Sequence, residues 1–333
     1  MSVLRVFNVS DYIHAGAAPR SGGFSAMPYY YGGVRELPDG SYAASKLPTG
    51  GLSFMLNPVF ESIVKKDPSE ILVFCVDDVP TIKRNIYKEV LHDAFGYKGN
   101  RAKKSVDLSI QRKAAKDLLS TFSSNILFKE GYEADDLIAG VVRHYKNHVD
   151  HIYIHTVDKD LYSLIDTNVS VEPVGTRGNS VSKDNFTKYV VDYHKNPMPF
   201  NCIYLDKLIY GDKSDNIPGI GSEWYPIIQK VITPDFYPYL TDHVKFKSWV
   251  KKATNNHQGV MGIVKLLIPL DVDQESVELS EEPIDFNSLL YAGKATGCKY
   301  AKRLDDVMTM QHVKDVLDYY TDMYYMEGGR FNG

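Results

Sequence analysis

Residues 131–158, GYEADDLIAGVVRHYKNHVDHIYIHTVD, decide the fold of this 333-residue chain. A helical pattern at about 134–147 leads into a short apolar run that ends in Thr-Val-Asp. The same alternation occurs earlier in the chain: VLRVFN (3–8), a helical pattern at about 50–65, ILVFCVDD (71–78) and a helical pattern at about 108–127. Apolar runs that alternate with helical patterns indicate buried parallel strands. We therefore predict a doubly wound α/β sheet.

Polar residues stand where these three apolar runs end. Asn8 closes the first run, Asp77 follows in the second and Asp158 ends the third. Parallel strands bring their carboxyl ends to one edge of a sheet, and ligands of such folds gather beyond that edge. Glu133 and Asp136 open a helical pattern, and their spacing places both on one helix face. The sequence therefore predicts a polar site at this edge.

Acidic residues are clustered in a way that ordinary folds avoid. Seven of them form three clusters: Glu133, Asp135 and Asp136; Asp158 and Asp160; and Asp212 and Asp215. Neighbouring carboxylates repel one another, whereas Mg²⁺ or Mn²⁺ cancels their charge and prefers oxygen ligands. Two such ions about 4 Å apart stabilise both the attacking and the leaving oxygen of a phosphodiester. The pattern predicts a two-metal nuclease, because helix capping alone would require one acid and not seven.

Positive charge is concentrated in one segment. Residues 81–116 contain ten Lys or Arg and three acids, a net charge of +7, whereas the whole chain carries −4 and the remainder therefore −11. Aromatic residues such as Tyr87 and Tyr97 are interleaved and would offer stacking surfaces for unpaired bases. We interpret this strip as a nucleic-acid track, and the alternative is a solvated helix face.

The remaining segments indicate loops and helices. Residues 15–50 are rich in Gly, Pro, Ser and Tyr and predict a long surface excursion, for which a hairpin is one arrangement. A helix is expected from residue 203, followed by a Gly/Pro turn. Residues 234–333 alternate helical patterns with turns, and their acidic stretch at 271–282 is expected to be a solvated loop.

Other features indicate a globular protein of the cytoplasm. Cys75, Cys202 and Cys298 lie far apart without metal-binding spacing, so we expect them to be reduced. The amino-terminal residues lack the basic and then apolar order of a signal peptide. Apolar runs also stay well short of the roughly 18 residues that cross a bilayer. We therefore expect a cytoplasmic location, in the bacterial host if the chain is phage-encoded, and no membrane partner.

Five motifs resemble one family in order and separation. They are PTGGLSFML (48–56), YKGNR (97–101), GYEADDLIAG (131–140), TVDKDLYSLI (156–165) and GDKSDNIPGIG (211–221). With these motifs the chain resembles the 5′→3′ exonuclease and flap endonuclease family. That family includes phage 5′ nucleases, phage RNase H and the 5′-nuclease domain of bacterial DNA polymerase I. The resemblance covers about 1–230.

The resemblance also implies an architecture. It implies a PIN-like or resolvase-like, mostly parallel sheet flanked by helices, with a helical arch and a helix-hairpin DNA-binding element. Residues 1–200 would form the α/β nuclease core, with the basic arch at about 81–116. Residues 201–333 would form the helix-hairpin region and a mostly helical carboxyl-terminal extension.

Site residues follow from the resemblance position by position. One metal ion would be held by Asp77, Glu133, Asp135 and Asn8, and a second by Asp158, Asp160 and Asp212. Asp136 and Asp215 would act directly or through metal-bound water. Catalytic contacts to phosphate would come from Arg84, Lys98 and Arg101. Further nucleic-acid contacts would come from Lys83, Lys88, Tyr97, Lys103, Lys104, Gly219 and Gly221, with K⁺ at the helix-hairpin element.

Two positions depart from the family pattern. Asn8 stands where family members carry an aspartate, and its neutral amide oxygen contributes less to metal affinity than an anion does. Asp11 lies three residues further on and could replace it only if the backbone curls toward the metals. The hairpin DNIPGIGSEW is also contracted, with Glu223 and Trp224 following.

The sequence thus predicts a Mg²⁺- or Mn²⁺-dependent 5′→3′ exonuclease and structure-specific flap endonuclease of DNA replication. Its partners would be DNA with 5′ ends or flaps, RNA–DNA hybrid if it has RNase H activity, and replication proteins. One alternative is a catalytically weakened homologue that binds branched nucleic acid. The other is a non-enzymatic protein of a replication or transcription assembly.

Overall fold

The computed structural model describes residues 3–17, 30–36, 42–65, 70–91, 96–99, 101, 105–175, 178–198, 200, 202–219, 265–301 and 307–327. The strands of this part are β1 Val3–Asn8, β2 Tyr30–Glu36, β3 Tyr42–Pro48, β4 Glu70–Cys75, β5 Ile126–Leu127, β6 His151–His155 and β7 Val169–Glu172. Its helices are α1 Val9–Ala17, α2 Gly50–Lys65, α3 Thr81–Leu91, α4 Val106–Ser120, α5 Ala134–Tyr145, α6 Phe186–Tyr189, α7 Ile203–Tyr210, α8 Phe286–Thr296 and α9 Gln311–Met326.

The central sheet has the order β5-β4-β1-β6-β7, and every neighbouring pair of strands is parallel. β1 lies in the middle, between β4 and β6. Side chains of one strand alternate between the two faces, so Phe7 enters the core on one side and Leu4 and Val6 enter the core on the other. This burial on both faces explains the near-continuous apolar runs of the sequence. The predicted parallel sheet is confirmed.

Two local predictions are refined. The helix predicted at 108–127 ends at Ser120, because the chain turns there and Phe74 of β4 pairs with Ile126 of an added edge strand. The surface excursion predicted at 15–50 contains the antiparallel hairpin of β2 and β3, with Tyr30 opposite Pro48. β1 also runs directly into α1, a helix that the sequence analysis did not predict.

The carboxyl-terminal helices belong to the same core as the sheet. Leu289 of α8 and Val313 and Leu317 of α9 are buried in the cluster that contains Phe7. α9 is also tied to α4, since the Tyr324 hydroxyl donates to Asp107 at 2.6 Å and Tyr320 donates to Asp117 at 2.7 Å. The described part of residues 201–333 contains the helices α7, α8 and α9 as well as irregular segments, and α8 and α9 contribute side chains to the core of the α/β unit.

The acidic stretch at 271–282 is a mostly exposed loop with one short 3-10 turn, Glu275–Val277, as predicted, but it is anchored to the core at two points. Val272 and Val277 are buried, and both pack against Gly140 of α5. A β-carbon on Gly140 would lie 3.0 Å from Val277. Two exposed acids of this stretch also form ion pairs at the surface, Asp273 with Lys129 and Asp271 with Arg143, the latter at 2.6 Å. In the part of the chain that the structure describes, no helix is both long and apolar enough to cross a membrane.

Leu317→Ala tests whether α9 is part of the core of the α/β unit. Leu317 is fully buried, so its truncation should lower the free energy of unfolding by about 2–5 kcal/mol. Met326→Ala on the same helix is the matched control, because Met326 is 80% exposed and should change stability by no more than about 0.5 kcal/mol. Thermal unfolding followed by circular dichroism should show one transition that shifts only for Leu317→Ala. Separate melting of α9 would contradict the shared core.

Candidate metal and nucleic-acid site

The strand order brings the predicted polar residues together. Asn8 ends β1, Asp77 follows β4 and Asp158 follows β6, so the three residues stand at one edge of the sheet on neighbouring strands. The amino terminus of α5 closes this edge: the Ala134 N–H donates to Asp77 Oδ1 at 2.7 Å, and Asn8 Nδ2 donates to Asp135 Oδ1 at 3.0 Å. The site thus begins as a ring of oxygen-bearing side chains around the end of the central strand.

A second acidic group adjoins the first. Asp158 begins the short 3-10 turn Lys159–Leu164 and accepts from the Asp160 N–H at 2.9 Å. Lys207 of α7 donates to the carboxylates of both Asp160 and Asp212. The α7 helix ends at Gly211, whose φ of 79° is in the left-handed region that favours glycine. This turn sends Asp212 back toward the sheet edge.

The YKGNR motif forms a basic turn that is fixed to the acidic edge. Lys98 donates to Glu133, and Arg101 donates to Asp215. The Tyr97 hydroxyl donates to Glu133 at 2.9 Å and to Asp215 at 3.0 Å. Lys98 has a φ of 57°, and its N–H donates to the Asp215 carbonyl at 3.0 Å. The turn therefore holds its positive charges beside the carboxylates.

Asp136 takes the capping role that was the alternative to metal binding. It is 0% exposed. One oxygen accepts from the Glu133 N–H at 3.0 Å, and the other accepts from the Leu270 N–H at 2.7 Å and lies 3.1 Å from the Lys83 ammonium. Because both oxygens are already bonded inside the protein, Asp136 stabilises the start of α5.

Several predicted nucleic-acid contacts are buried. Lys83 is 5% exposed and pairs with Glu133 as well as Asp136. Tyr97 and Tyr87 are also buried, and the Tyr87 hydroxyl donates to the Asn216 carbonyl at 2.8 Å. The side chains of Lys83, Tyr87 and Tyr97 therefore hold the basic strip onto the core, and their contact with nucleic acid stays a prediction.

Other predicted residues are exposed or lie outside the described residues. Arg84 and Lys88 are exposed on α3, and Gly219 lies just beyond the Asp212–Ile217 turn. Outside the described residues are Lys103, Lys104 and Gly221, with the rest of the helix-hairpin element and its expected K⁺ site. Asp11 accepts from the Thr156 hydroxyl and the Val157 N–H. Asp11 is thus bound to the loop after β6, and burial raises its pKa to about 6.

Two cations of the site were not singled out from the sequence. Arg112 of α4 donates to Asp77 Oδ2 at 2.7 Å, so both oxygens of Asp77 are bonded. The second of these cations is Lys207, which donates to Asp160 and Asp212. Arg112 stood only in a count of basic residues, and Lys207 precedes Asp212 by five residues on a helix. Neither position carries a spacing signal, so sequence reasoning had no means of finding them.

Unequal charge compensation shifts the pKa values of the acids in opposite directions. Burial raises the pKa of Asp135 well above its usual range, and the nearby charges of Asp158, Glu133 and Asp77 add to this effect. Burial opposes ionisation of Glu133 as well, but Lys83 and Lys98 outweigh it and lower its pKa to about 2. Burial and Asp158 raise the pKa of Asp160 to about 7, even though Lys207 is close.

The oxygen donors at the end of β1 fit a hard divalent cation. Asn8 is 5% exposed, and its Oδ1 is a buried oxygen with no hydrogen-bond partner in the described structure. Among the described residues, Asp135 and Asp158 contact no ammonium or guanidinium group. As the described side chains stand, no three acids converge on one point. Lysine and arginine side chains pair with most of these acids, and a bound cation would compete for the same oxygens.

Comparison with known proteins defines the class to which this fold and site belong. Residues 27–191 match the family model described as 5'-3' exonuclease, N-terminal resolvase-like domain. The 5'-3' exonuclease of Aquifex aeolicus is 30% identical over 251 residues, which are 73% of this chain and 80% of that protein. The chain belongs to the 5'-3' exonuclease family, a family of phosphodiester hydrolases.

Other relatives are longer than the matched region. DNA polymerase I of Caldicellulosiruptor bescii is 30% identical over 249 residues, 72% of this chain and 28% of that protein. The 5'-3' exonuclease of Mycoplasmopsis pulmonis is 31% identical over 165 residues, 48% of this chain and 51% of that protein. The chain thus spans about a quarter of the first relative and about half of the second.

Two solved structures align with nearly the whole chain at low sequence identity. The phage T5 D15 protein co-crystallised with metal ions is 17% identical with a TM-score of 0.46, covering 97% of this chain and 98% of that one. Human GEN1 in complex with Holliday junction DNA is 14% identical with a TM-score of 0.44, covering 99% of this chain and 75% of that one.

Asn8→Asp tests the oxygen environment at the end of β1. The change replaces the amide that donates to Asp135 with a second carboxylate, so the metal-free protein should lose about 1–3 kcal/mol of stability. The added anion should also raise the affinity for Mg²⁺ or Mn²⁺. Thermal unfolding in EDTA and in Mn²⁺ measures both effects, with Asn168→Asp as a control remote from the acids. A loss of stability that Mn²⁺ does not reverse would contradict this placement.

Proposed function

We propose that this chain is a Mg²⁺- or Mn²⁺-dependent 5′→3′ exonuclease and structure-specific flap endonuclease. One observation carries the proposal. The buried, unpartnered Asn8 oxygen lies beside Asp135, whose pKa is raised by burial and by neighbouring acids, and cationic side chains are fixed nearby. This combination suits a divalent cation and a phosphate group that approaches it.

The acidic edge would hold the cations through two groups of ligands. The proposed first group is Asn8, Asp77, Glu133 and Asp135, and the proposed second group is Asp158, Asp160 and Asp212, with Asp215 acting directly or through water. When bound, the metal ions supply a water molecule activated for attack and neutralise charge on the phosphate. Asp77 is already oriented for this role, because Arg112 and the Ala134 N–H bind its two oxygens.

The basic turn would bind the phosphate. Lys98 and Arg101 contact Glu133 and Asp215, and the exchange of these carboxylates for a phosphate would keep both cations paired. Arg101 suits this role because a guanidinium can bind two phosphate oxygens at once. Both cations would then neutralise the charge that develops during cleavage. Lys98 and Arg101, which the fold already holds in place, would thus position the phosphate and neutralise its charge.

The proposed substrates are DNA with 5′ ends or flaps formed during replication, and RNA–DNA hybrid if the chain has RNase H activity. Support comes from the names of the relatives, which are 5'-3' exonucleases and DNA polymerase I. The exposed Arg84 and Lys88 of α3 are the proposed surface contacts to the substrate backbone. Replication proteins are proposed as further partners.

A second candidate function is binding of branched nucleic acid with weak cleavage. The Asn8 side chain favours it, because an amide replaces an anion at the end of the central strand and donates to Asp135. Asn8→Asp separates the two functions by activity. A large gain in cleavage rate would favour the weakened homologue, and an unchanged rate would mean that the amide suffices.

Cleavage of a 5′-end-labelled flap and a matching RNA–DNA hybrid tests the proposed function directly. Asp135→Asn and Asp158→Asn should each lower the rate at least about 100-fold, because metal ligands contribute several kcal/mol to transition-state stabilisation. Asp150→Asn is the control, since Asp150 is an exposed acid at the start of β6. EDTA should abolish the activity. If the wild-type protein binds the flap but does not cleave it in either Mg²⁺ or Mn²⁺, the proposed nuclease function is rejected and the weakened homologue is favoured.

Arg84→Ala tests the exposed face of α3. Loss of one phosphate contact should weaken flap binding for every sequence and reduce the slope of log affinity against log salt by about one. Lys188→Ala on α6 removes an exposed cation elsewhere and should leave that slope unchanged. Fluorescence anisotropy between 50 and 200 mM salt, roughly the range in which such contacts weaken, provides the measurement. If both variants show the same slope of log affinity against log salt, α3 does not contact the substrate.

A further inference from the structure

Lys207 neutralises one half of the acidic edge. It extends from α7, and its ammonium donates to both the Asp160 and the Asp212 carboxylates. The other oxygen of Asp212 accepts from the Ser214 N–H at 2.9 Å and from the Ser214 hydroxyl. Lys207 is only 21% exposed in its side chain. The cation is therefore enclosed in the position where two carboxylates from different elements meet.

At the end of β1, in contrast, cations contact Glu133 and Asp77 but do not bridge the oxygens of Asn8 and Asp135. Asp135 accepts from the Asn8 amide, and Asp158 accepts from a backbone N–H. Neither of these two carboxylates contacts an ammonium or guanidinium group in the described ranges. Asn8 Oδ1 adds a buried oxygen without a donor. The edge thus contains two oxygen donors at the end of β1, Asn8 and Asp135, that contact no cation in the described ranges, and a pair of carboxylates, Asp160 and Asp212, that Lys207 bridges.

We propose that Lys207 is a resident cation of the Asp160–Asp212 pair and makes the two metal positions unequal. A first divalent cation binds at the half that contains Asn8 and Asp135. A second binds at Asp160 and Asp212 only when the Lys207 ammonium leaves them. This inference rests on the proposed function, because it concerns the cations of that site. It goes further in assigning an order of binding and the residue that sets it.

Competition for the same oxygens is the physical basis. An ammonium in contact with two carboxylates must give up both ion pairs before a divalent cation can use those oxygens, and that loss is subtracted from the affinity of the cation. Lys207 is suited to leaving, because its charge is at the end of a flexible four-carbon stem. In the first ligand group, Arg112 contacts only Asp77, and Lys83 and Lys98 contact Glu133, so Asn8 and Asp135 keep their oxygens out of contact with a cation.

Mn²⁺ binding to the full chain, measured by isothermal titration and by the loss of the free Mn²⁺ resonance signal, tests the inference. Wild-type protein should bind one Mn²⁺ tightly and a second at least about tenfold more weakly. Lys207→Met keeps most of the stem and removes the charge, and it should strengthen the second binding event at least about tenfold while leaving the first unchanged.

Lys159→Met is the matched control. Lys159 lies between Asp158 and Asp160 in sequence but is exposed. Its replacement therefore also removes one positive charge, but it does not free two carboxylates from an ion pair. It should change the second affinity by less than about threefold. An equal gain in both variants would overturn the inference, because general charge and not occupancy would then set the affinity. Two equal sites in the wild type, or no gain in Lys207→Met, would also overturn it.

Two further measurements keep the result interpretable. If Lys207→Met does not fold in EDTA, Lys207→Gln keeps a neutral donor to one carboxylate, and the same gain at the second site is required of it. Asp160→Asn in either background should abolish that gain. Flap cleavage by the wild type is measured in parallel: unequal Mn²⁺ sites without cleavage would reject the proposed function alone, and cleavage without a Lys207 effect would reject this inference alone.

Discussion

Repulsion among carboxylates confined to one edge of the sheet is the constraint on which the rest of this structure depends. The parallel topology forces the ends of β1, β4 and β6 together, and the acids at those ends come with them. Burial and the charges of neighbouring acids raise the pKa of Asp135. A fold that gathers negative charge in this way must distribute positive charge around it, and four different elements do so here.

The cations arrive from α3, the basic turn, α4 and α7, carried by Lys83, Lys98 and Arg101, Arg112, and Lys207. Each of these elements is therefore positioned by charge as well as by apolar packing. Removal of one partner from a buried pair leaves an uncompensated charge, which is more costly than the pair is worth.

Sequence patterns predicted the sheet and much of the site for an identifiable reason. Apolar runs report burial on both faces, so the predicted strands were found, and the helix expected at 50–65 has those bounds in the structure. Asp77 and Asp135 were placed together because strand ends and motif spacing are local signals. Lys207 was missed because its partners come from distant parts of the chain. The burial of Tyr97 was not predicted, because charge and aromatic content do not reveal which side of a turn faces inward.

One backbone contact extends the site beyond the acidic motifs. The Leu270 N–H donates to a fully buried oxygen of Asp136, next to the residues that open α5. A segment more than one hundred residues downstream in sequence thus supplies a donor that the amino terminus of α5 does not provide for itself. Without it, a charged oxygen in the interior would lose a donor. The site is therefore a property of the whole chain, and mutations around Leu270 would alter it without touching a single motif residue.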